Sequence, residues 1–242
     1  MKKRLQTILS HAGVSSRRRA VELIESGKVK IDGRCVTEKG LRVDPDRHEI
    51  LVNGRLLPRG EKKYYFLLNK PKNVISTTQD THSRKKVTDF FEKVKARLYP
   101  VGRLDKDTTG ILLVTNDGDL AHRMTHPSFE VEKEYLVTVK GFVSLEKIKK
   151  IEKGIEVDGK ITAPCHIKLR RKGKDTTVYR ITLHEGKKRQ IRRMFEAVEG
   201  KVTALKRVRY AGLTLGTLKE GEYRVLTDRE IERLKKMAFL PR

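Results

Sequence analysis

Gly102-Arg103-Leu104-Asp105-Lys106-Asp107-Thr108-Thr109-Gly110-Ile111-Leu112-Leu113-Val114-Thr115-Asn116-Asp117-Gly118 is a dense polar run that passes without a break into four apolar residues and closes on a turn signal. It reads as a polar loop feeding a short buried strand. A carboxylate on such a loop, braced by a core strand, is held in a fixed position, which suits a catalytic group. Asp105 and Asp107 both lie among the cations Arg103 and Lys106. Spacing alone leaves open whether either is catalytic, caps the turn or pairs locally.

Strands and helices mingle on both sides of this run. Tyr65 to Leu68 is a buried strand ending at Lys70-Pro71, and Val87, Phe90, Phe91, Val94 and Leu98 form a helical stripe. Tyr135, Val137 and Val139 alternate, as do Cys165, Ile167 and Leu169. Ile191, Met194, Phe195 and Val198 predict a helix over 187–199, with Gly200 behind it. Thr227 and Glu230 form a capping box before a last helix that turns Ile231 and Leu234 inward. Short hairpins interrupted by a few helices predict an α+β domain over 61–242, built on a mixed, mainly antiparallel sheet with flanking helices.

Upstream, a smaller α/β module is expected over residues 1–60. Leu5, Ile8, Leu9 and Ala12 mark one helix, ended by Gly13; Ser15 or Ser16 caps a second, with Ala20, Leu23 and Ile24 inward and Gly27 as its stop. Val29 to Ile31 leads into an Asp32-Gly33 turn, and Ile50-Leu51-Val52 reaches Asn53-Gly54 and returns through Leu56-Leu57. The polar stretch Pro58-Arg59-Gly60-Glu61-Lys62-Lys63 reads as the linker. Arg17, Arg18 and Arg19 occupy the first turn of the second helix, where the macrodipole disfavours cations by some tenths of a kcal/mol each. A phosphate backbone across that helix end reverses the sign; a merely solvated basic patch is the alternative.

Lys and Arg number 56 against 31 Asp and Glu, a formal charge of +25 over 242 residues. Such an excess is offset most simply by a polyphosphate partner. An ion-pair-rich surface adapted to heat predicts balanced charge instead, and no terminal amphipathic helix with an exposed aromatic face favours a membrane. No apolar run approaches the roughly 20 residues of a membrane span, and Met1-Lys2-Lys3-Arg4 leads into an amphipathic pattern rather than a secretory signal. Cys35 and Cys165 lack CxxC spacing and read as small buried apolar groups in a reduced cytoplasmic protein. GxxxxGK[ST], GxGxxG and HExxH are absent, so no cofactor or metal is expected, and His122 and His126 read as surface or packing residues.

The segment from Leu5 to Ala20, continuing through Leu23-Ile24, Gly27-Lys28-Val29 and Asp32-Gly33, resembles the RNA-binding module of the ribosomal protein S-four type. Gly102-Arg103-Leu104-Asp105, Thr108-x-Gly110 and residues 112–118 resemble the core motif of pseudouridine synthases, in particular the bacterial ribosomal subfamily that carries this module at its front. The likeness extends to Phe66-Leu67-Leu68-Asn69-Lys70-Pro71, Lys133-Glu134-Tyr135 and the segment from Glu185 to Phe195.

The resemblance implies an isomerase that converts a uridine of ribosomal RNA to pseudouridine on naked RNA or a subunit precursor, without cofactor, metal or membrane, and as a monomer. It implies Asp105 as the catalytic carboxylate, Tyr135 as the ring that stacks on the base, Arg192 as the cation paired with Asp105, and Ile191 as the apolar neighbour beneath. Arg103 would help hold the extruded nucleotide, with Arg189 and Arg193 free for phosphates, and Arg17, Arg18 and Arg19 would dock the RNA. The large-subunit 23S branch is the nearer; a small-subunit 16S enzyme, a tRNA-directed enzyme of the same chemistry and a non-catalytic ribosome-assembly factor are the alternatives.

Overall fold

The computed structural model describes residues 1–58 and 60–239; Arg59, inside the expected linker, and Leu240, Pro241 and Arg242 lie outside the described residues. One compact unit holds Met1–Lys63 with Asn116–Gly118, and a second spans Tyr64–Thr115 and runs on from Asp119.

In the first unit, α1 (Leu5–His11) and α2 (Arg17–Glu25) turn Leu5, Ile8, Leu9, Ala20 and Ile24 onto a small sheet. Ser16 is the cap of α2: its side chain accepts from the Arg19 N–H at 3.2 Å. The sheet runs β2 (Arg34–Val36), β1 (Val29–Ile31), β3 (Ile50–Val52), β4 (Arg55–Leu56), all antiparallel. Asp32-Gly33 and Asn53-Gly54 have positive φ at both central positions, as a two-residue hairpin with strand-matched twist requires. Cys35 is not buried. It sits on a three-residue strand at the edge of this sheet, where its side chain is exposed.

The second unit is built on a nine-stranded sheet whose main path runs β8 (His166–Lys172), β9 (Thr176–Leu183), β7 (Lys133–Lys140), β10 (Val202–Tyr210), β6 (Thr109–Thr115), β5 (Tyr65–Lys70), β11 (Tyr223–Val225). Every neighbouring pair on this path is antiparallel except β10 and β6, whose parallel ladder joins Lys206 to Thr109 and Arg207 to Gly110. The expected mixed, mainly antiparallel sheet is thus two antiparallel halves meeting at one short parallel seam. β5 and β6 are buried on both faces. Leu67, Ile111 and Leu113 pack with Leu120, Tyr210 and Leu234 on one side, and Phe66, Leu68, Leu112 and Val114 with Phe91, Leu98 and Leu104 on the other. That double burial explains why the run after Gly110 is apolar throughout instead of alternating.

Flanking helices are α3 (Gly118–Thr125), α4 (Leu145–Lys153), α5 (Gln190–Glu196) and α6 (Asp228–Phe239). α6 starts as expected: Glu230 accepts from the Thr227 N–H at 2.9 Å and Thr227 Oγ1 accepts from the Glu230 N–H at 3.3 Å. The stripe at Val87–Leu98 is not a helix. A 3₁₀ turn covers Val87–Phe91, and tight bonds from Val94 N–H to Phe91 and from Ala96 N–H to Val94 then swing the chain into Tyr99–Pro100, which pairs with β6. Burial of Val87, Phe91 and Leu98 is kept, but strand pairing overrides local helical periodicity.

Candidate active site

Asp105 stands in the loop that enters β6 at the parallel seam. Each side of that loop is tied down. Ser76 Oγ donates to the Leu104 carbonyl at 2.8 Å and accepts the Leu104 N–H at 3.1 Å, and Asn73 N–H donates to the Lys106 carbonyl at 2.8 Å. The Asp105 carbonyl accepts the Thr108 N–H, closing a turn at 3.1 Å. Beneath it, the ammonium of Lys70, fully buried at the end of β5, donates to the carbonyls of Thr108 and Pro71, each at 2.9 Å. Burial pushes the Lys70 pKa down to about 8, against the pull of the Asp107 and Asp105 charges. The Asp105 carboxylate itself makes no hydrogen bond or ion pair among the described residues. It opens instead into a cavity of about 460 Å³, a size typical of small-molecule sites.

The floor of that cavity comes from β7 and β10. Tyr135 and Arg207 are direct partners across these strands, so their side chains stand on the same face. A register shift follows at once, since Glu134 pairs with Arg209 and leaves Val208 as an extra residue on β10. Such a bulge reverses the in-out alternation, and it brings Tyr210 onto the face of Arg207. The Arg207 guanidinium lies 4.6 Å from the centre of the Tyr210 ring, and the Tyr210 hydroxyl donates to the Met124 carbonyl at 2.8 Å. Burial pushes the Tyr210 hydroxyl up to about 12. Lys133 donates to the carbonyls of Val131 and His184 at 2.7 and 3.1 Å; burial and then the nearby Arg207 charge lower its pKa to about 8. Arg103, Lys133, Lys187, Lys188, Arg189 and Arg207 line the cavity against the carboxylates of Asp105 and Glu185, so its wall is strongly cationic.

α5 is shorter than expected, Gln190–Glu196 rather than 187–199, because Arg189 takes a left-handed conformation at its N-terminus. Ile191 is buried and lines the cavity. Arg192 is buried too, but its partner is Asp107, with Nη2 2.9 Å from Oδ2, rather than Asp105. Nη1 of Arg192 also donates to the Val202 carbonyl at 3.2 Å, which fixes the guanidinium behind the cavity wall, within reach of the second carboxylate of the loop. Neither Arg189 nor Arg193 is free: Arg189 approaches Asp107 at 3.4 Å and Arg193 pairs with Asp158. Arg103 is exposed at the cavity rim. Arg17, Arg18 and Arg19 are exposed on the first turn of α2, where only Arg19 has an ion pair among the described residues, with Glu22. His122 and His126 are exposed, and His126 borders the cavity. Cys165 is half-buried; burial raises its pKa to about 12.

Sequence reasoning missed the buried cations Lys70 and Arg207. The available signal was a charged residue at an inward position: Lys70 ends a strand that opens with four apolar residues, and Arg207 follows the inward Leu205 by two. Among the described residues no group of three or more His, Cys, Asp or Glu could hold a metal ion. No described helix is long and apolar enough to cross a membrane.

The model of the family described as RNA pseudouridylate synthase matches residues 64–197, which contain the loop, the cavity floor at Tyr135 and α5. The chain belongs to that family. It is therefore an isomerase acting on RNA. Residues 3–48 match the S4 domain, the expected RNA-binding module. The chain is 48% identical over 237 residues to ribosomal large subunit pseudouridine synthase B of Bacillus subtilis, covering 97% of this chain and 96% of that one. It is 36% identical over 246 residues to an uncharacterized RNA pseudouridine synthase of Aquifex aeolicus, covering 100% and 98%. A crystal structure of a pseudouridylate synthase superposes with a TM-score of 0.67 at 34% identity, over 96% of this chain and 99% of that one.

Proposed function

We propose that this pseudouridine synthase acts in the cytoplasm on the 23S rRNA of the large ribosomal subunit, and that Asp105 is its catalytic carboxylate. The observation that carries the role of Asp105 is its carboxylate, unpaired on a rigid loop and facing a cationic cavity wide enough for a nucleotide. The choice of RNA rests on likeness over nearly the whole length to a relative named for the large subunit.

The reaction breaks the bond between ribose C1′ and uracil N1, turns the base, and joins C1′ to C5. The C5 proton is lost and N1 gains one, so atoms and electrons balance within the nucleotide and water. Asp105, ionised, attacks or steadies C1′ while the base is detached. Tyr135 stacks on a base drawn out of the RNA, a contact worth about 1–3 kcal/mol. Ile191 packs beneath, Arg103 meets the phosphates at the rim, and Arg189, beside Asp107, turns only its remaining donors to them. Arg192 orients the loop through Asp107, and Arg193 lies outside the cavity wall. Arg17, Arg18 and Arg19 dock the RNA from the S4 domain, and the enzyme works as a monomer.

The test uses 23S rRNA transcripts carrying tritium at uracil C5. The native protein releases tritium to water; Asp105→Asn releases none while its RNA affinity stays within a few-fold. Equal release by Asp105→Asn removes that residue from the mechanism. Release from 16S rRNA or tRNA alone reassigns the substrate, and none from any RNA or subunit precursor favours a binding factor.

A further inference from the structure

Arg207 is 2% exposed, and no carboxylate lies within ion-pair distance of it among the described residues. Nε donates to the Ile111 carbonyl at 2.7 Å, and one face of the guanidinium covers Tyr210. Neither terminal nitrogen has a hydrogen-bond partner among the described residues, and Nη2 is buried as well as unpartnered. A buried, unneutralised guanidinium with unused donors is destabilising unless something arrives to accept from it. Lys70 and Lys133 have carbonyl acceptors, and the buried Arg192 has Asp107 and the Val202 carbonyl. Of these four, Arg207 is the one whose terminal nitrogens are both held in reserve, on the cavity floor beside Tyr135.

We propose that Arg207 donates to a carbonyl oxygen of the extruded uracil and stabilises the negative charge that the base acquires as its bond to ribose breaks. This rests on the isomerase reading above. When C1′–N1 cleaves, the bonding electron pair leaves with the base and spreads over N1, O2 and O4. A base stacked on Tyr135 lies beside the strand partner of Tyr135, so its carbonyl edge comes within reach of the Arg207 terminal nitrogens. A fixed cation in a water-poor floor stabilises that charge without reorganising. A contact at O4 would also favour uracil, an acceptor at position 4, over cytosine, a donor there; a contact at O2 would not distinguish them. Gly110 makes the arrangement possible: a Cβ at that position would lie 2.2 Å from the Arg207 carbonyl oxygen, so no other residue lets β10 bring Arg207 this close to the Asp105 loop.

The experiment measures single-turnover tritium release and RNA affinity side by side. Arg207→Gln, which keeps an amide donor but no charge, slows release by about 10²–10³-fold with affinity changed less than about threefold. Arg207→Lys restores about tenfold of that loss. A native rate for Arg207→Gln, or a loss confined to affinity, overturns the proposal. Should Arg207→Gln lose its melting transition, the native protein decides with transcripts containing 2-thio- or 4-thiouridine, whose sulfur is a weaker acceptor. One of the two is then isomerised about tenfold or more slower than uridine; equal rates for all three overturn it. Failure of the native protein to isomerise any RNA is a different outcome, which sinks the isomerase reading instead.

Discussion

Gly110→Ala puts a number on the seam that assembles the site. Gly110 has φ of +103° and stands opposite Arg207 in the parallel ladder. An added Cβ would meet the Arg207 carbonyl oxygen at 2.2 Å and its nitrogen at 2.8 Å, both backbone atoms that cannot swing aside. The left-handed backbone costs an alanine about 1–3 kcal/mol. Relieving the overlap means opening the β6–β10 ladder by roughly an ångström, and overpacking of this kind adds about 1–3 kcal/mol. Together they amount to about 2–6 kcal/mol, or a fall of about 10 °C in Tm at the middle of that range for a chain of this size. Gly102→Ala is the matched control: φ is +74° there, and the nearest atom, Thr125 Cγ2, sits at an ordinary 3.6 Å, so the backbone cost alone applies. All seven tyrosines lie at or beyond residue 64 and tryptophan is absent, so tyrosine emission during thermal unfolding reports the second unit by itself. Equal Tm losses in the two variants would refute the close-approach argument.

Reversing Arg17, Arg18 and Arg19 to Glu weakens RNA binding and lowers the slope of log affinity against log salt by about 2–3, the loss expected for three phosphate contacts. An unchanged slope in filter binding removes α2 from the docking face. Glu230 closes the cap of α6 and receives both terminal nitrogens of Arg224 at 2.7 Å, and this bonding holds its carboxyl well below the ordinary range. A depressed carboxylate pKa adds stability that is complete above the unfolded value near 4.5 and lost as pH falls through the folded one. Glu230→Gln, partly exposed, lowers stability by about 1 kcal/mol at pH 7 and flattens the acid limb between pH 4.5 and about 2. An acid limb identical to the native one contradicts that assignment.

Most of the local structure was legible because local chemistry fixes it. Asp32-Gly33 and Asn53-Gly54 bend as their residue types dictate, Ser16 caps α2, and the Thr227–Glu230 box opens α6. Apart from the left-handed Arg189 that shortens α5 and the exposed Cys35, the failures come from pairing at long range. Val87–Leu98 carries helical spacing, yet Tyr99–Pro100 must reach β6, so the helix is cut to a single 3₁₀ turn. Loop spacing alone points to Asp105 and Asp107 alike, and the resemblance pairs Arg192 with Asp105, but two residues of displacement put Asp105 on the cavity and Asp107 against Arg192. Arg207 was half legible: two residues after the inward Leu205 it falls on the buried face, but its place beside Tyr135 depends on the β7–β10 register, and the Tyr210 ring against it depends on a bulge at Val208 that no periodicity within β10 announces.

The division of labour between the two loop carboxylates follows from what each must keep available. A carboxylate held by a guanidinium at 2.9 Å has its lone pairs engaged and its charge neutralised, which suits Asp107 as the tie between loop and α5. A carboxylate that is to attack or steady a sugar carbon needs its oxygens open. Asp105 has them open, and the basic side chains packed beneath and along the cavity floor have neutral carbonyls as acceptors: Lys70 those of Thr108 and Pro71, Lys133 those of Val131 and His184, Arg207 through Nε that of Ile111. Carbonyl partners fix these groups in place without cancelling their charge. The fold therefore bears the desolvation cost of three cations, and the depressed pKa values of Lys70 and Lys133 register it. Carboxylate partners would have lowered that cost and quenched the field as well. A nucleotide entering with phosphates at its flanks and charge building on its base meets a cavity already polarised toward it, and that pre-set field is what stability has been exchanged for.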